Sequence, residues 1–206
     1  MSELTAARRS LHALAELVLA GPQYAAHRTI ALSVTADGFG TAKEPRLVIT
    51  GTTLVTPRTE IELDGKRISD VAAEAGVVPR ALDDVYSDGV GLTVDHQLEI
   101  VPDAAAEIVG AFQRGSIALA GFAPGETPIL WPEHFDVGIT ADEVNFGVSP
   151  GDEFLPVPYA YVGPWSRDDL DGEFWNAPFG SARPLAEIDD LTAYFAEGAA
   201  RLEGRR

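Results

Sequence analysis

The chain contains no cysteine, one methionine and only two lysines. The first absence excludes disulfides, thiolate metal sites and cysteine nucleophiles. No apolar run reaches the roughly 20 residues that span a bilayer. Positive charge is scarce: 15 Lys and Arg stand against 32 Asp and Glu, a formal net charge of −17. Such a balance repels phosphate backbones and anionic lipid, so it argues against nucleic-acid and membrane partners and serves solubility. Residues 1–22 do not read as a signal peptide, because His12 and Glu16 interrupt the apolar part and an acid precedes the arginines. The expectation is therefore a cytoplasmic protein. Gly38-Phe39-Gly40 and Gly89-Val90-Gly91 each lack the third glycine and the helix of a dinucleotide fingerprint. A Gly-x-Ser-x-Gly elbow and a His-Glu-x-x-His pair are missing too, and nothing names a cofactor.

What is present is a globular composition. The 206 residues are 46% hydrophobic, enough to bury a core as one large domain or two small ones. We expect one compact unit, subdivided at the turn-rich stretch 121–128 into a scaffold half, 1–123, and an aromatic, β-rich half, 124–206.

In the scaffold half, Ser2 caps a helix predicted over 3–20, with Leu4, Leu11, Leu14, Leu17 and Val18 at helical spacing and Gly21-Pro22 as its stop. Ile30, Leu32 and Val34 alternate as a half-buried strand. Residues 46–55 read as a second strand with Gly51 as a bulge. Asp64-Gly65 signals a hairpin that sets Ile61 opposite Ile68 and Glu62 opposite Arg67. The run Asp70, Val71, Ala72, Glu74, Ala75, Gly76, Val77 resembles the helix-turn-helix of LacI-type repressors over 68–89. That resemblance implies DNA binding, but Asp83, Asp84 and Asp88 would face phosphates, and Ser69 as N-cap with Gly76 past the helix end accounts for the pattern structurally. A helix follows from Pro102 to about Ala120, with Ile108, Val109, Phe112, Ile117 and Leu119 inward. Another, from Pro184 to Leu202, closes the chain. The class is α+β: mainly antiparallel sheet or sheets, with N-terminal, central and C-terminal helices.

The aromatic half carries the chemistry. Residues 129–180 hold all three tryptophans and ten of the seventeen aromatic residues. Phe135, Val137 and Ile139 alternate with His134, Asp136, Gly138 and Thr140. After a turn at Ala141-Asp142, Val144, Phe146 and Val148 alternate with Asn145, Gly147 and Ser149. Opposing Thr140 to Glu143 puts both apolar stripes on one face of a hairpin. His134, Asp136 and Asn145 then share the other face, with two glycines of the kind that mark close approach of a backbone or ligand. His134 and Asp136, about 7 Å apart along one strand, are the candidates to share a water, a metal or a substrate group. Tyr159, Tyr161, Gly163 and Trp165 line one face of the next strand, and the loop carrying Trp175 and Asn176 covers either core or pocket.

An aromatic wall beside a few polar groups is the usual composition of a small-molecule site. The ligand-binding candidates are therefore His134, Asp136, Asn145, Tyr159, Tyr161, Trp175 and Asn176, with acid–base chemistry through His134 and Asp136. The alternative is a protein–protein or self-associating surface, which needs Trp165, Trp175 or Phe179 exposed. Homo-oligomerisation stays open. Metal binding by His134 and Asp136 with Glu133, His96 or His27 has weaker support, and a Ser149–His134–Asp136 triad weaker still. The phrases LWPEHFDVGI, VNFGVSPGDEF, PYAYVGPW and FWNAPFG resemble those of an uncharacterised group of actinobacterial proteins. The likeness implies no activity and no residue roles.

Overall fold

The structure is a computed structural model that describes residues 2–168 and 170–203. It is α+β. Ten strands pair antiparallel, and helices lie at the N-terminus, in the middle and at the C-terminus. The chain divides into two compact units, residues 1–110 with 130–135 and residues 111–129 with 136–206. The division cuts through the central helix, not through the turn-rich stretch after it.

Unit 1 begins with α1 (Glu3–Leu14), capped by the Ser2 hydroxyl, which accepts the Thr5 N–H. Gly21-Pro22 does not end this helix. The chain widens into a π-helical stretch, Ala15–Ala20, and continues as α2 (Gly21–His27). Proline lacks an N–H and its ring collides with the carbonyl four residues back. Widening to i→i+5 bonds gives the Gly21 N–H to Glu16 O. The corresponding donor for Leu17 O would be Pro22, which has none. The Arg80 N–H fills that place at 3.0 Å.

The unit 1 ladder runs β6-β1-β2-β3-β4-β5, from β1 (Leu32–Val34), β2 (Gly38–Thr41), β3 (Val48–Thr50), β4 (Thr53–Val55), β5 (Glu60–Glu62) and β6 (Ile129–Trp131). Two strand expectations change. Residues 46–55 are two strands, β3 and β4, because Gly51 takes φ +57 at the first central position of a tight turn. The hairpin about Asp64-Gly65 does not form. Only the second central residue, Gly65, has positive φ there, whereas a type I′ turn needs both positive and a type II′ turn the first. β5 pairs with β4 instead, and Arg67 bridges to Gln97 before α3 (Ile68–Ala75) begins. Gly76 ends α3 at φ +72, as expected, but no second helix follows between 77 and 101. The helix-turn-helix likeness thus stops at its turn. This long irregular stretch is tied to the first helix by main-chain donors: Arg80 to Leu17 O, Val90 to Glu16, and Glu99 to Ser10 Oγ.

Unit 2 has the ladder β7-β8-β9-β10, formed by β7 (Asp136–Ala141), β8 (Val144–Ser149), β9 (Tyr159–Pro164) and β10 (Ser181–Pro184). One face is covered by the C-terminal half of α4 (Pro102–Phe122) and by α5 (Leu191–Glu203). Small residues let these helices sit close. A Cβ on Gly115 would stand 2.7 Å from Val137, and one on Gly198 2.8 Å from Val162. Phe122, Phe146 and Phe195 pack together beneath them. Ile117, expected inside, is 75% exposed on α4.

Candidate functional site

The β7-β8 hairpin turns on Asp142-Glu143, at φ +51 and +63. Both central residues are positive, the primed geometry that matches strand twist. The turn lies one residue later than expected, so the register moves by two: Gly138 faces Gly147, Ile139 faces Phe146 and Thr140 faces Asn145. A shift of two preserves the faces. Val137, Ile139, Phe146 and Val148 point to the helices. Asp136, Gly138, Asn145, Gly147 and Ser149 form the other face, continued on β9 by Tyr159, Tyr161 and Gly163.

The close approach marked by the two glycines comes from the chain itself. Tyr161 stands opposite Gly147 in β9, and its ring lies across the glycine row. A Cβ on Gly147 would meet the Tyr161 hydroxyl at 2.4 Å, and one on Gly138 would meet it at 3.1 Å. The hydroxyl donates to Asp136 Oδ2, and Asp136 is only 5% exposed. Burial and the adjacent carboxylate push the Tyr161 phenol well above its ordinary pKa, so it stays a donor. A second pair runs beside it. The Tyr159 hydroxyl donates to Asp152 Oδ2 at 2.5 Å, while Asp152 Oδ1 accepts the N–H groups of Phe154 and Leu155. Burial, then Asp152, raises the Tyr159 phenol as well. Ser149 Oγ accepts the Gly151 N–H, a turn bond that needs no catalytic histidine.

Of the seven ligand-binding candidates, the structure brings Asp136, Tyr159 and Tyr161 together. His134 is exposed in the turn before β7. Phe135, between it and Asp136, has φ +52, so the alternation assumed for the pair is broken. Asn145 is exposed, and its Oδ1 accepts both the Thr140 hydroxyl and the Trp165 indole N–H. Asn176 exchanges two hydrogen bonds with the Ala182 main chain, and Trp175 packs edge-on against Phe174. Asn176 thereby holds the 174–180 loop to β10.

Above the tyrosines, Phe154 and Phe179 close the row, their rings 5.1 Å apart, with Phe179 edge-on to Tyr161. Beyond Gly163 the stripe ends on Trp165, 62% exposed; Phe154 and Val157 are 47% and 42% exposed. A shallow apolar cleft of unit 2 lies elsewhere, between Phe122, Val144, Phe146 and Leu202, and includes none of the seven candidates. Among the described residues, no group of three or more His, Cys, Asp or Glu is placed to hold a metal ion, and no helix is long and apolar enough to cross a membrane.

Unit 1 contains a set of titratable groups that sequence reasoning passed over. Glu16 is 4% exposed on the π-helical stretch and accepts the Val90 N–H at 2.9 Å; burial raises its pKa. His12, one turn earlier, stacks on Phe135 at 5.2 Å and donates from Nε2 to Pro132 O at 2.7 Å. Desolvation lowers its pKa to about 4, so the ring is neutral at pH 7. The Tyr86 hydroxyl is buried, and its pKa is raised by burial and by the charges of Glu16, Glu133 and Asp83. The only trace of this in the sequence is that a histidine and a glutamate interrupt an otherwise apolar helix.

No family model matches the chain, and no curated protein or solved structure is detectably similar to it.

Proposed function

We propose that the chain is a polypeptide-binding protein, and that the aromatic face of unit 2 holds a cationic segment of its partner. The observation that carries this reading is Trp165, 62% exposed at the end of the Tyr159–Tyr161 stripe. An exposed tryptophan on a sheet face is the residue type that dominates binding energy at protein interfaces. Along the stripe the two tyrosine hydroxyls are already committed, that of Tyr161 to Asp136 and that of Tyr159 to Asp152. That leaves little for a small polar ligand to engage, which weakens the pocket reading relative to the surface one.

Charge chooses the partner. Asp142 and Glu143 are exposed at the hairpin tip, and the Trp165 N–H donates to Glu143 O beside them. Asp168, Asp171 and Glu173 are exposed in the loop that follows. The one arginine of that loop, Arg167, donates to Pro178 O. At a net charge of −17, two copies repel each other, whereas a basic segment is attracted and can place its cations over aromatic rings. Calorimetric titration with a short Arg- and Lys-rich peptide tests this. Binding should weaken with added salt and fall roughly tenfold or more in Trp165→Ala. No heat of binding, or equal affinity in that variant, would sink the proposal.

A further inference from the structure

We infer that the face has a specificity-determining notch, floored by Gly163 between Tyr161 and Trp165, that takes one arginine side chain of the partner; this rests on the polypeptide-binding reading above. Tyr161 and Gly163 share one face of β9, and Trp165, in the bend just past the strand, reaches that face at Asn145. The two aromatic Cα atoms stand about 13 Å apart. Across from Gly163 lies Asn145, its Cβ 4.0 Å from the place of a Gly163 Cβ. Both rings lean toward β8. The Tyr161 hydroxyl reaches over Gly147 to Asp136, and the Trp165 indole N–H donates to Asn145 Oδ1 at 3.3 Å. The backbone between them stays open, and Gly163 is partly exposed.

The notch has the chemistry of a guanidinium seat. Trp165 supplies exposed aromatic surface at one end of it, and Tyr161, edge-on to Phe179, bounds the other. The Phe179 carbonyl oxygen lies 3.5 Å from the place of a Gly163 Cβ, which brings a hydrogen-bond acceptor to the edge. Asp142 and Glu143 are exposed at the hairpin tip beside Trp165, whose main-chain N–H donates to Glu143 O, while Arg167 is held at Pro178 O. A planar guanidinium stacks on a ring and still directs N–H groups sideways to a carbonyl. An ammonium is a compact, more strongly hydrated charge, and it gains less here.

The glycine itself permits a decisive test. Unlike Gly147, Gly163 has room for a side chain. Its φ lies outside the left-handed region, and the nearest heavy atoms to an added Cβ are in ordinary contact at 3.5 and 3.8 Å. Valine suits a strand, so Gly163→Val should fold and fill the notch. Thermal melts and circular dichroism check the folding, and Gly163→Ala serves as the smaller plug should valine disturb it. An (Arg-Ser)4 peptide is titrated against the full chain by calorimetry, with (Lys-Ser)4 and (Glu-Ser)4 for comparison. The expected result is binding of the Arg peptide, several-fold weaker binding of the Lys peptide, none of the Glu peptide, and at least a tenfold loss in folded Gly163→Val. If Gly163→Val binds the Arg peptide as the parent does while Trp165→Ala loses it, the notch is wrong and the aromatic-face reading survives. If the parent binds no basic peptide, both fall.

Discussion

Glu16 and Trp165 are both placed against their ordinary solvation, in opposite senses. Unit 1 buries the Glu16 carboxylate and the Tyr86 hydroxyl and half-buries the His12 ring. Unit 2 leaves one of its two tryptophans mostly in water. Glutamate is almost never fully buried unless paired, and large exposed apolar surface is the usual mark of an interaction site. In unit 1 the anomaly is answered internally: Val90 donates to Glu16, and His12 finds Pro132 O and the face of Phe135. In unit 2 the tyrosine hydroxyls of the stripe are answered, but the outer surface of Trp165 is not. Unusual burial therefore reports on how unit 1 holds together, while unusual exposure points outward to a partner. That contrast can be broken in four places.

The largest effect is expected inside unit 2. Gly147→Val drives a side chain into the Tyr161 ring, which is anchored at Asp136 and flanked by Phe179. A loss of about 3 kcal/mol or more in urea denaturation is expected, and a much smaller one in a Tyr161→Ala background, where the collision is gone. Equal costs in both backgrounds would mean that Tyr161 does not occupy the glycine row.

Next is His12. Its pKa of about 4 lies below the unfolded value near 6.5. Between those values the unfolded chain binds a proton that the folded one refuses. Stability should therefore fall as pH drops from 6.5 to 4, by roughly 2–3 kcal/mol. His12→Gln, which keeps a donor for Pro132 O, should flatten that slope. Third is Trp165→Ala. It should cost the tenfold in peptide affinity while changing the unfolding midpoint little, because exposed substitutions away from packed features stay within about 0.5 kcal/mol.

The smallest effect is at Glu16. A carboxyl whose folded pKa is raised holds its proton in the native state after the unfolded chain has lost it. Native stability is therefore full below the unfolded value near 4.3 and declines as pH rises through the raised one. Glu16→Gln keeps an acceptor for Val90 and carries no charge. It should raise the melting temperature more at pH 8 than at pH 4. An equal gain at both pH values would show that Glu16 is not shifted.

Much of the fold was legible because side-chain periodicity is local. The stripes Val137/Ile139, Phe146/Val148 and Tyr159/Tyr161/Trp165 are written two residues apart, and the structure keeps every one of them on its expected face. Registers were less legible. They depend on which two residues of a turn accept positive φ, and Asp142-Glu143 does so in place of Ala141-Asp142. The same dependence dissolved the hairpin about Asp64-Gly65. Pro22 was read by its local rule, as a stop. Packing of Ala15–Ala20 in the core and the Arg80 N–H on Leu17 O make a widened helix the better solution. In the candidate site, the pairing of glycines with a tyrosine stripe was visible, but not that the tyrosine would fill the glycine row.

The sequence alone determined the class, the two-faced strands and the concentration of aromatic area in residues 129–180, because these follow from composition and from a period of two. Only the tertiary structure decided that Asp136 is closed off under Tyr161, that Glu16 is enclosed by residues some 70 positions away, and that Trp165 alone of the three tryptophans stands mostly in solvent. Burial and hydrogen-bond satisfaction are set by whichever distant segment arrives to cover a group, and no local pattern carries that information.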